Sequence, residues 1–566
     1  MTARLVTATW ALLASLIVAV ILLIFHDQFW WPVDEGVYAY VAQRANAGDV
    51  LHRDLIDLHA GYGNMINSWA FRLFGEDLLS LRYPLVAMAA VQAAIAYMLL
   101  RSEGDAAACV AAVAVAAFSF IQFPNPSANW HALFWFFVLL WLLRKGPDNS
   151  TRQLVAIGLV VGLCFFTRQL SGVHLAFGAV CALLIGAPRF DKGSPIPALA
   201  AAALPAIILS GYLISKGNIF AGFWGGVAPI TLLALAAFRA RITWAYAGRT
   251  TLLLAVGFTL AALPVVAKAL VEGSFTYWFR DIFVAALAIN GQGFIADAQF
   301  LDLLSRSFMI AISGHSITAT VSAIAWMLLI LLVPAVGLMT ILRFAKGYPV
   351  HPAATLAVFW AVGALHYQIP IYLMFVLPAV LLALLVLRPN VPVLGVSLAL
   401  AVWTLVFQVG QPLERGLMGT LAGQRAEANV PASLPRVSLR IQPSDVALYS
   451  ELLALIEAEA APGELLMTLP MNPELNFMSG RVSPTRYYGT PLGLLQASDV
   501  DDSLAALEEA APIWVVVRVG DKYLTPLTLD LLEEVRTRAG EPYRVGSFEL
   551  YRFGETVRLG ASQPAR

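Results

Sequence analysis

Apolar residues in this chain come in long unbroken runs, and polar residues collect between them. Runs that approach the ~20 residues a helix needs to cross a bilayer read as membrane spans. They lie at 8–26, 83–100, 105–123, 129–143, 153–167, 172–187, 196–214, 221–238, 250–270, 317–341, 353–367, 370–387 and 391–409, about 13 in all. Gly and Pro interrupt the runs between 196 and 240. Two intervening segments, 27–82 and 271–316, are far longer than a turn requires, and long loops tend to carry function. The first predicts two short helices. Asp34 and Glu35 open one in which Val37, Tyr38, Val41 and Ala45 recur at helical spacing up to Gly48, and a second runs from Asn64 to Phe74 before Gly75. Amphipathic helices beside a membrane lie in its interface with their apolar faces towards lipid.

Beyond the last run the pattern changes to helices at 445–460, 500–510 and 527–538 and strands at 464–469, 513–519 and 547–553. That order predicts a small α/β layer domain over residues 412–566, following a transmembrane domain over 1–411. Charge marks the same boundary: residues 412–566 hold 14 Lys+Arg and 20 Asp+Glu of the 36 of each in the chain. With 59% hydrophobic and 13% charged residues and a mean hydropathy of +0.74, a water-soluble globular enzyme is excluded. No basic stripe suits nucleic acid. The fold expected is a polytopic α-helical membrane protein with interfacial helices in the first outer loop and an extracytoplasmic C-terminal domain.

Placing Arg4 inside puts Arg101, Arg144, Lys145, Arg152, Arg189, Lys192, Arg239, Arg241, Arg249, Arg343, Lys346 and Arg388 on the inner side, the bias that sets orientation. The N-terminus is then cytoplasmic and the C-terminus extracytoplasmic, in the cell's inner (plasma) membrane. The run after Arg4 meets no small-residue cleavage site before Phe29-Trp30-Trp31, so an uncleaved anchor is expected. Cys109, Cys164 and Cys181 sit within apolar runs and read as core side chains.

The acidic group of the first loop carries the candidate chemistry. Asp34 and Glu35 stand just beyond a span and an aromatic interface segment, where a carboxylate can meet a lipid-borne substrate and take a proton from a hydroxyl. The same pair also suits capping of the helix that follows. His59 and His315 with Asp57 are candidates for a divalent metal ion, though without an identifying ligand spacing. There is no Walker loop, dinucleotide fingerprint or His-Glu-x-x-His.

The series Asp34-Glu35 with Tyr38, His52-Arg53-Asp54-Leu55, Asp57-Leu58-His59, Phe74-Gly75 and Leu81-Arg82 before a span resembles the first outer loop of the C-type-fold glycosyltransferases. These use polyprenyl-phosphate-linked sugars, and they include the protein O-mannosyltransferases and the bacterial aminoarabinose transferases. Thr167-Arg168-Gln169, Ser171-Gly172, His366-Tyr367 with Pro378, and in the tail Asn472-Pro473-Glu474-Leu475, Ser479-Gly480-Arg481 and Pro484 to Tyr488 extend the likeness. The chain departs from the family at His59-Ala60-Gly61-Tyr62, where Pro-Pro usually follows the charged residue.

The resemblance implies an inverting transfer of the sugar to an acceptor hydroxyl of a lipid, glycan or protein at the outer face. By the same carry-over Asp34 is the general base, and Glu35 positions sugar or acceptor. Arg168 suits the donor phosphate, because a guanidinium at a span end is costly unless it meets an anion. Tyr38, Asp54, Asp57, His59, Gln169, Arg280, Arg306, His366 and Tyr367 are further substrate-binding candidates, with Arg280 and Arg306 alternatively pairing with Asp281 and Asp302. Arg481, Arg486 and Tyr487 are expected to pack the tail, with contact to donor or acceptor as the alternative. Two other classes fit the composition: a lipid or saccharide transporter, and a noncatalytic subunit of a polysaccharide-assembly complex.

Overall fold

The computed structural model of the protein describes residues 2–289, 300–313, 317–387 and 429–554. The thirteenth expected span at 391–409, Arg388, His315, part of the second outer loop and the 411/412 boundary lie outside them. Every other expected span is a helix. They are α1 (Thr2–Phe25), α4 (Tyr83–Leu100), α5 (Asp105–Gln122), α6 (Ala128–Leu143), α7 (Thr151–Thr167), α8 (Gln169–Ile185), α9 (Ile196–Ser215), α10 (Ile219–Arg239), α11 (Trp244–Val271), α14 (Ile317–Ala345), α15 (Pro352–Trp360, continued to His366 as 3-10 helix) and α16 (Pro370–Leu387). Eight stretches are long and apolar enough to cross a membrane and four are shorter. The protein is a multi-pass helical membrane protein. The Gly-rich segment Gly222–Gly226 does not break α10 but winds it into a π-helical turn, anchored where the Trp224 indole donates to the Ile330 carbonyl at 2.8 Å.

Small residues set the closest helix contact. Gly158 and Gly162, four apart on α7, face Gly257 and Ala261 on α11, and a Cβ on Gly158 or Gly257 would collide with the facing backbone of Leu254 or Val155. Aromatic and aliphatic side chains of α4 to α8, α15 and α16 fill the rest of the bundle core.

At one end of the bundle the connections are short and mutually tied. Arg239 donates to the Phe344 and Ala345 carbonyls, Arg249 to the Asn149 carbonyl and Thr151, and Ser194 bridges Ile242. The other end carries both long loops and the tail.

In the first loop, α2 (Pro32–Ala47) starts on Pro32 and ends at Gly48, whose φ of 110° suits only glycine. The second helix, α3 (Tyr62–Phe74), is amphipathic and turns Trp69, Leu73 and Phe74 outward, as an interfacial helix should. Helix α2 differs from that expectation. Its apolar residues Val37, Ala39, Tyr40 and Val41 are buried in a core shared with the tail, because the tail covers the face that would otherwise meet lipid.

The second loop holds α12 (Phe275–Phe279), a π-helical turn at Arg280–Ala285, the short helix Ala286–Ile289 and α13 (Phe300–Ser313). In the tail, β1 (Val430–Pro431) pairs with β2 (Arg440–Ile441). A four-stranded sheet of order β3 (Leu466–Leu469), β4 (Ile513–Arg518), β6 (Phe548–Phe553), β5 (Tyr543–Val545) packs with α17 (Pro443–Glu459), α18 (Pro473–Ser479), α19 (Ala497–Ala510) and α20 (Pro526–Ala539). Strand β3 runs parallel to β4 and the remaining pairs are antiparallel.

Candidate active site

Loop and tail are joined residue by residue above the bundle. Phe29 N–H donates to the Arg440 carbonyl at 2.8 Å, Ile56 N–H to the Arg486 carbonyl at 2.8 Å, and Ser483 N–H to the Tyr40 hydroxyl at 3.0 Å. Gly36 lies against α18: a Cβ there would be 2.5 Å from the Glu474 nitrogen. Asp281 of the second loop locks all three pieces together. It is 1% exposed, accepts 2.6 and 2.8 Å bonds from Arg486, and lies 3.2 Å from His52 Nδ1.

Below this lid the α6 start, the α7–α8 and α15–α16 junctions and both loops enclose a cavity of about 450 Å³. Tyr38, His59, Arg168, Gln169, His366 and Tyr367, all predicted from the sequence, line it. Arg168 is an extended residue between two helices, φ −153° and ψ 110°, so its guanidinium leaves the bundle axis instead of following a helix face. It donates to Ser171 Oγ at 2.8 Å and lies 5.8 Å from the Tyr372 ring centroid. No carboxylate among the described residues pairs with it. Gln169 ties the two loops together by donating to the Leu58 and Ile282 carbonyls at 2.7 and 3.4 Å.

Asp57 lies behind His59, not in the cavity. His59 Nδ1 is 2.9 Å from the carboxylate, which also takes the Asn64 amide. Burial opposes the Asp57 charge, yet His59, His52 and Asn64 together hold its carboxyl below the usual range. The bond fixes the ring so that Nε2 is the nitrogen left to act. Tyr38 packs beside it, ring centroids 5.7 Å apart.

Asp34 and Glu35 have opposite settings. Glu35 is fully buried and takes 2.7 and 2.9 Å bonds from Arg82, also fully buried, plus the Trp31 N–H at 3.0 Å. Arg82 spends its other donors on the carbonyls of His26, Gln28 and Phe29. Asp34 accepts no hydrogen bond from any described residue. Burial pushes its carboxyl up to about 6, against the pull of Lys522 and with the help of Glu35. It shares a helix face with Tyr38, one turn on, and its charge reaches Tyr372, Tyr367 and Tyr523.

The remaining candidates lie elsewhere. Asp54 is a partly exposed partner of Arg53 and of the Val50 N–H. Arg280 is 44% exposed and 3.8 Å from Asp499 of the tail, not paired with Asp281; Arg306 is exposed on α13. Arg481 packs the tail by donating to the carbonyls of Ala460, Ala461 and Glu464.

Sequence reasoning missed Asn129, Tyr212 and Tyr372, which line the cavity, and Lys216, which donates to the His366 carbonyl at 2.9 Å. Lys216 had a signal, since it is a cation at a span end on the side that the basic bias leaves poor. Among the described residues no group of three His, Cys, Asp or Glu converges as a metal site.

No curated protein matches the chain. Its fold was aligned with two crystal structures of ArnT from Cupriavidus metallidurans. The one bound to undecaprenyl phosphate has 14% identity and a TM-score of 0.38 over 98% of this chain and 99% of that one. The apo form has 13% identity and the same TM-score over 97% and 98%. Residues 59–214, the stretch that holds His59, Asn129, Arg168, Gln169 and Tyr212, match the dolichyl-phosphate-mannose-protein mannosyltransferase family, so the resemblance to polyprenyl-phosphate-sugar glycosyltransferases is borne out there.

Proposed function

We propose that the protein is an inverting glycosyltransferase that moves a sugar from a polyprenyl-phosphate donor to an acceptor hydroxyl, with Asp34 as general base. The observation that carries this reading is Asp34 itself: a carboxylate without a hydrogen-bond partner among the described residues, raised towards neutrality, near a cavity whose fixed cation Arg168 has no carboxylate partner among them either. A base with an ordinary hydrogen-bonded carboxylate would be a weaker proton acceptor.

In this mechanism the donor phosphate lies in the cavity against Arg168 and His59 Nε2, and the polyprenyl chain leaves between apolar helices. The acceptor O–H gives its proton to Asp34 while its oxygen bonds the anomeric carbon from the face opposite the phosphate. The bond from that carbon to the phosphate oxygen breaks, and its electron pair stays on the polyprenyl phosphate. This leaving group needs cations, not a proton. Glu35 acts differently from the role carried over to it: paired with Arg82, it holds the start of α2 and so aims Asp34.

The transporter reading is disfavoured by the spans themselves. Among the described residues none of them holds Asp or Glu away from its ends, whereas ion-coupled transport usually places such groups at mid-membrane. The assembly-subunit reading would gain if both loop carboxylates were helix caps turned into protein; Glu35 is held that way by Arg82, whereas Asp34, though buried, accepts no hydrogen bond from any described residue.

Supported by the basic bias, we place the N-terminus in the cytoplasm and the tail, 412–566, outside the inner membrane. The test is transfer or donor hydrolysis by the full chain, using radiolabelled polyprenyl-phosphate sugars and native membrane extract. Activity should collapse in Asp34→Asn; unchanged activity in that variant would remove Asp34 as base.

A further inference from the structure

The tail meets the helix that carries Asp34 at a buried carboxylate that the mechanism leaves unused. Glu474, in the first turn of α18, is 0% exposed, and Gly36 of α2 lies so close that a Cβ there would be 2.7 Å from the Glu474 Cβ. Glu474 Oε1 accepts from the Tyr449 hydroxyl of α17 at 3.0 Å, while its Oε2 meets no donor among the described residues. Tyr449 in turn packs edge-on against Trp30, two residues before α2 begins, with ring centroids 5.0 Å apart. The carboxyl thus sits in the seam where the tail covers α2.

A buried carboxylate with one oxygen unsatisfied is costly when charged and tolerable when protonated. Burial raises the Glu474 carboxyl to about 7, against the pull of its own N–H, Tyr449 and Arg518, with Asp521 adding to the rise. Asp445 faces Tyr449 from the start of α17, and β3 brings no titratable group. On α2 the charged neighbours of Gly36 are Asp34 and Glu35, the latter held by Arg82. Arg436, at the other end of α18, donates to the Phe477 and Met478 carbonyls.

We propose that Glu474 is a positioning residue: its protonated carboxyl lets the tail seat on α2 and so aim Asp34, and its ionisation loosens that seat. The inference rests on the glycosyltransferase reading with Asp34 as base. Freed from the seam, Glu474 titrates at its ordinary value of 4.5; seated, it titrates near 7. Its contribution is therefore complete below about pH 4.5 and is lost as pH rises through about 7. Between pH 6 and pH 8 the seating equilibrium should fall about tenfold.

The experiment uses the full chain in lipid nanodiscs. Limited proteolysis reads tail release, normalised at each pH to cleavage of an unfolded reference protein. Wild type should release the tail at least fivefold faster at pH 8 than at pH 6. Glu474→Gln, which keeps the shape without the charge, should change less than twofold. Tyr449→Phe keeps the ring against Trp30 but removes the donor to Oε1, so its rise should extend above pH 7; it decides the matter alone if Glu474→Gln does not fold. Transfer from a radiolabelled polyprenyl-phosphate sugar to native membrane extract should fall from pH 7 to pH 8 in wild type and stay level in Glu474→Gln.

Tail release that is level with pH in wild type, or as steep in Glu474→Gln, would overturn the inference. So would a rise in Tyr449→Phe that ends no higher in pH than in wild type. Release that follows pH while wild-type transfer does not fall would separate the seat from Asp34 and remove the positioning role. Absence of any transfer or donor hydrolysis by wild type at every pH would instead overturn the enzymatic reading, and the positioning role with it.

Discussion

Asp34 and Glu35 are neighbours in the chain but about 100° apart around α2, and the two faces of that helix meet different surroundings. One face carries Tyr38, which lines the donor cavity, and Asp34, buried within reach of tyrosines and a lysine. The other buries Glu35 against Arg82 and presses Gly36, Ala39 and Tyr40 onto the tail. The same functional group is thus a stabiliser on one face and, by our reading, a reagent on the other. The difference lies in the partners. A buried carboxylate with a bidentate guanidinium has its charge satisfied and nothing left to offer, whereas one without partners keeps its basicity at the expense of the fold.

That contrast is testable, and the largest effect belongs to Asp34. Asp34→Asn should lower transfer by about 10²- to 10⁴-fold, the usual contribution of a general base. It should also raise thermal stability. Because burial raises the folded carboxyl to about 6, above the ordinary aspartate value of 3.8, ionisation disfavours the fold from about pH 4 upward, and the cost is complete above about pH 6. At pH 7 the asparagine should be more stable by up to about 3 kcal/mol, read in denaturation of the detergent-solubilised protein. A loss of both activity and stability would show that Asp34 is a structural residue like its neighbour.

Glu35→Gln should do the reverse. Leaving Arg82 buried and unpaired costs about 3–5 kcal/mol, and the double variant Glu35→Leu/Arg82→Met should recover part of that loss. Additive single effects would mean that the pair does not hold α2. Gly36→Ala comes next, at about 1–3 kcal/mol, since its Cβ has no room against the Glu474 backbone. Limited proteolysis should then release the tail faster than in wild type.

The smallest effect is on pH dependence. Transfer should rise with pH through about 6 as Asp34 loses its proton. Lys522→Ala should move that limb upward, because a positive charge that favours the ionised form is gone. A limb that stays in place would separate Lys522 from Asp34.

Much of this was legible in the sequence. Apolar runs gave the twelve described spans almost to their ends, because hydrocarbon tolerates nothing but a satisfied helix and so writes an unambiguous pattern. In the tail, the helices at 443–459, 497–510 and 526–539 and the strands 466–469, 513–518 and 548–553 match the predicted order. Periodicity did not show α18 or β5, which are too short for a pattern, nor that α2 would be roofed by the tail instead of lipid.

For the site, the sequence by itself singled out Asp34, Tyr38, His59, Arg168, Gln169, His366 and Tyr367. Asp34, His59 and Arg168 are conspicuous as polar residues beside spans, whereas Tyr38, Gln169, His366 and Tyr367 stood out through the family resemblance. What only the tertiary structure decided is which of them share a space. Asp57 turns out to brace His59, Glu35 to brace the backbone, and Arg280 to reach the tail, while Lys216 and Lys522 come in from elements far away in the chain. Carboxylates look alike in one dimension. Whether one is spent on an arginine or left free depends on what the packing of distant helices brings within 3 Å of it.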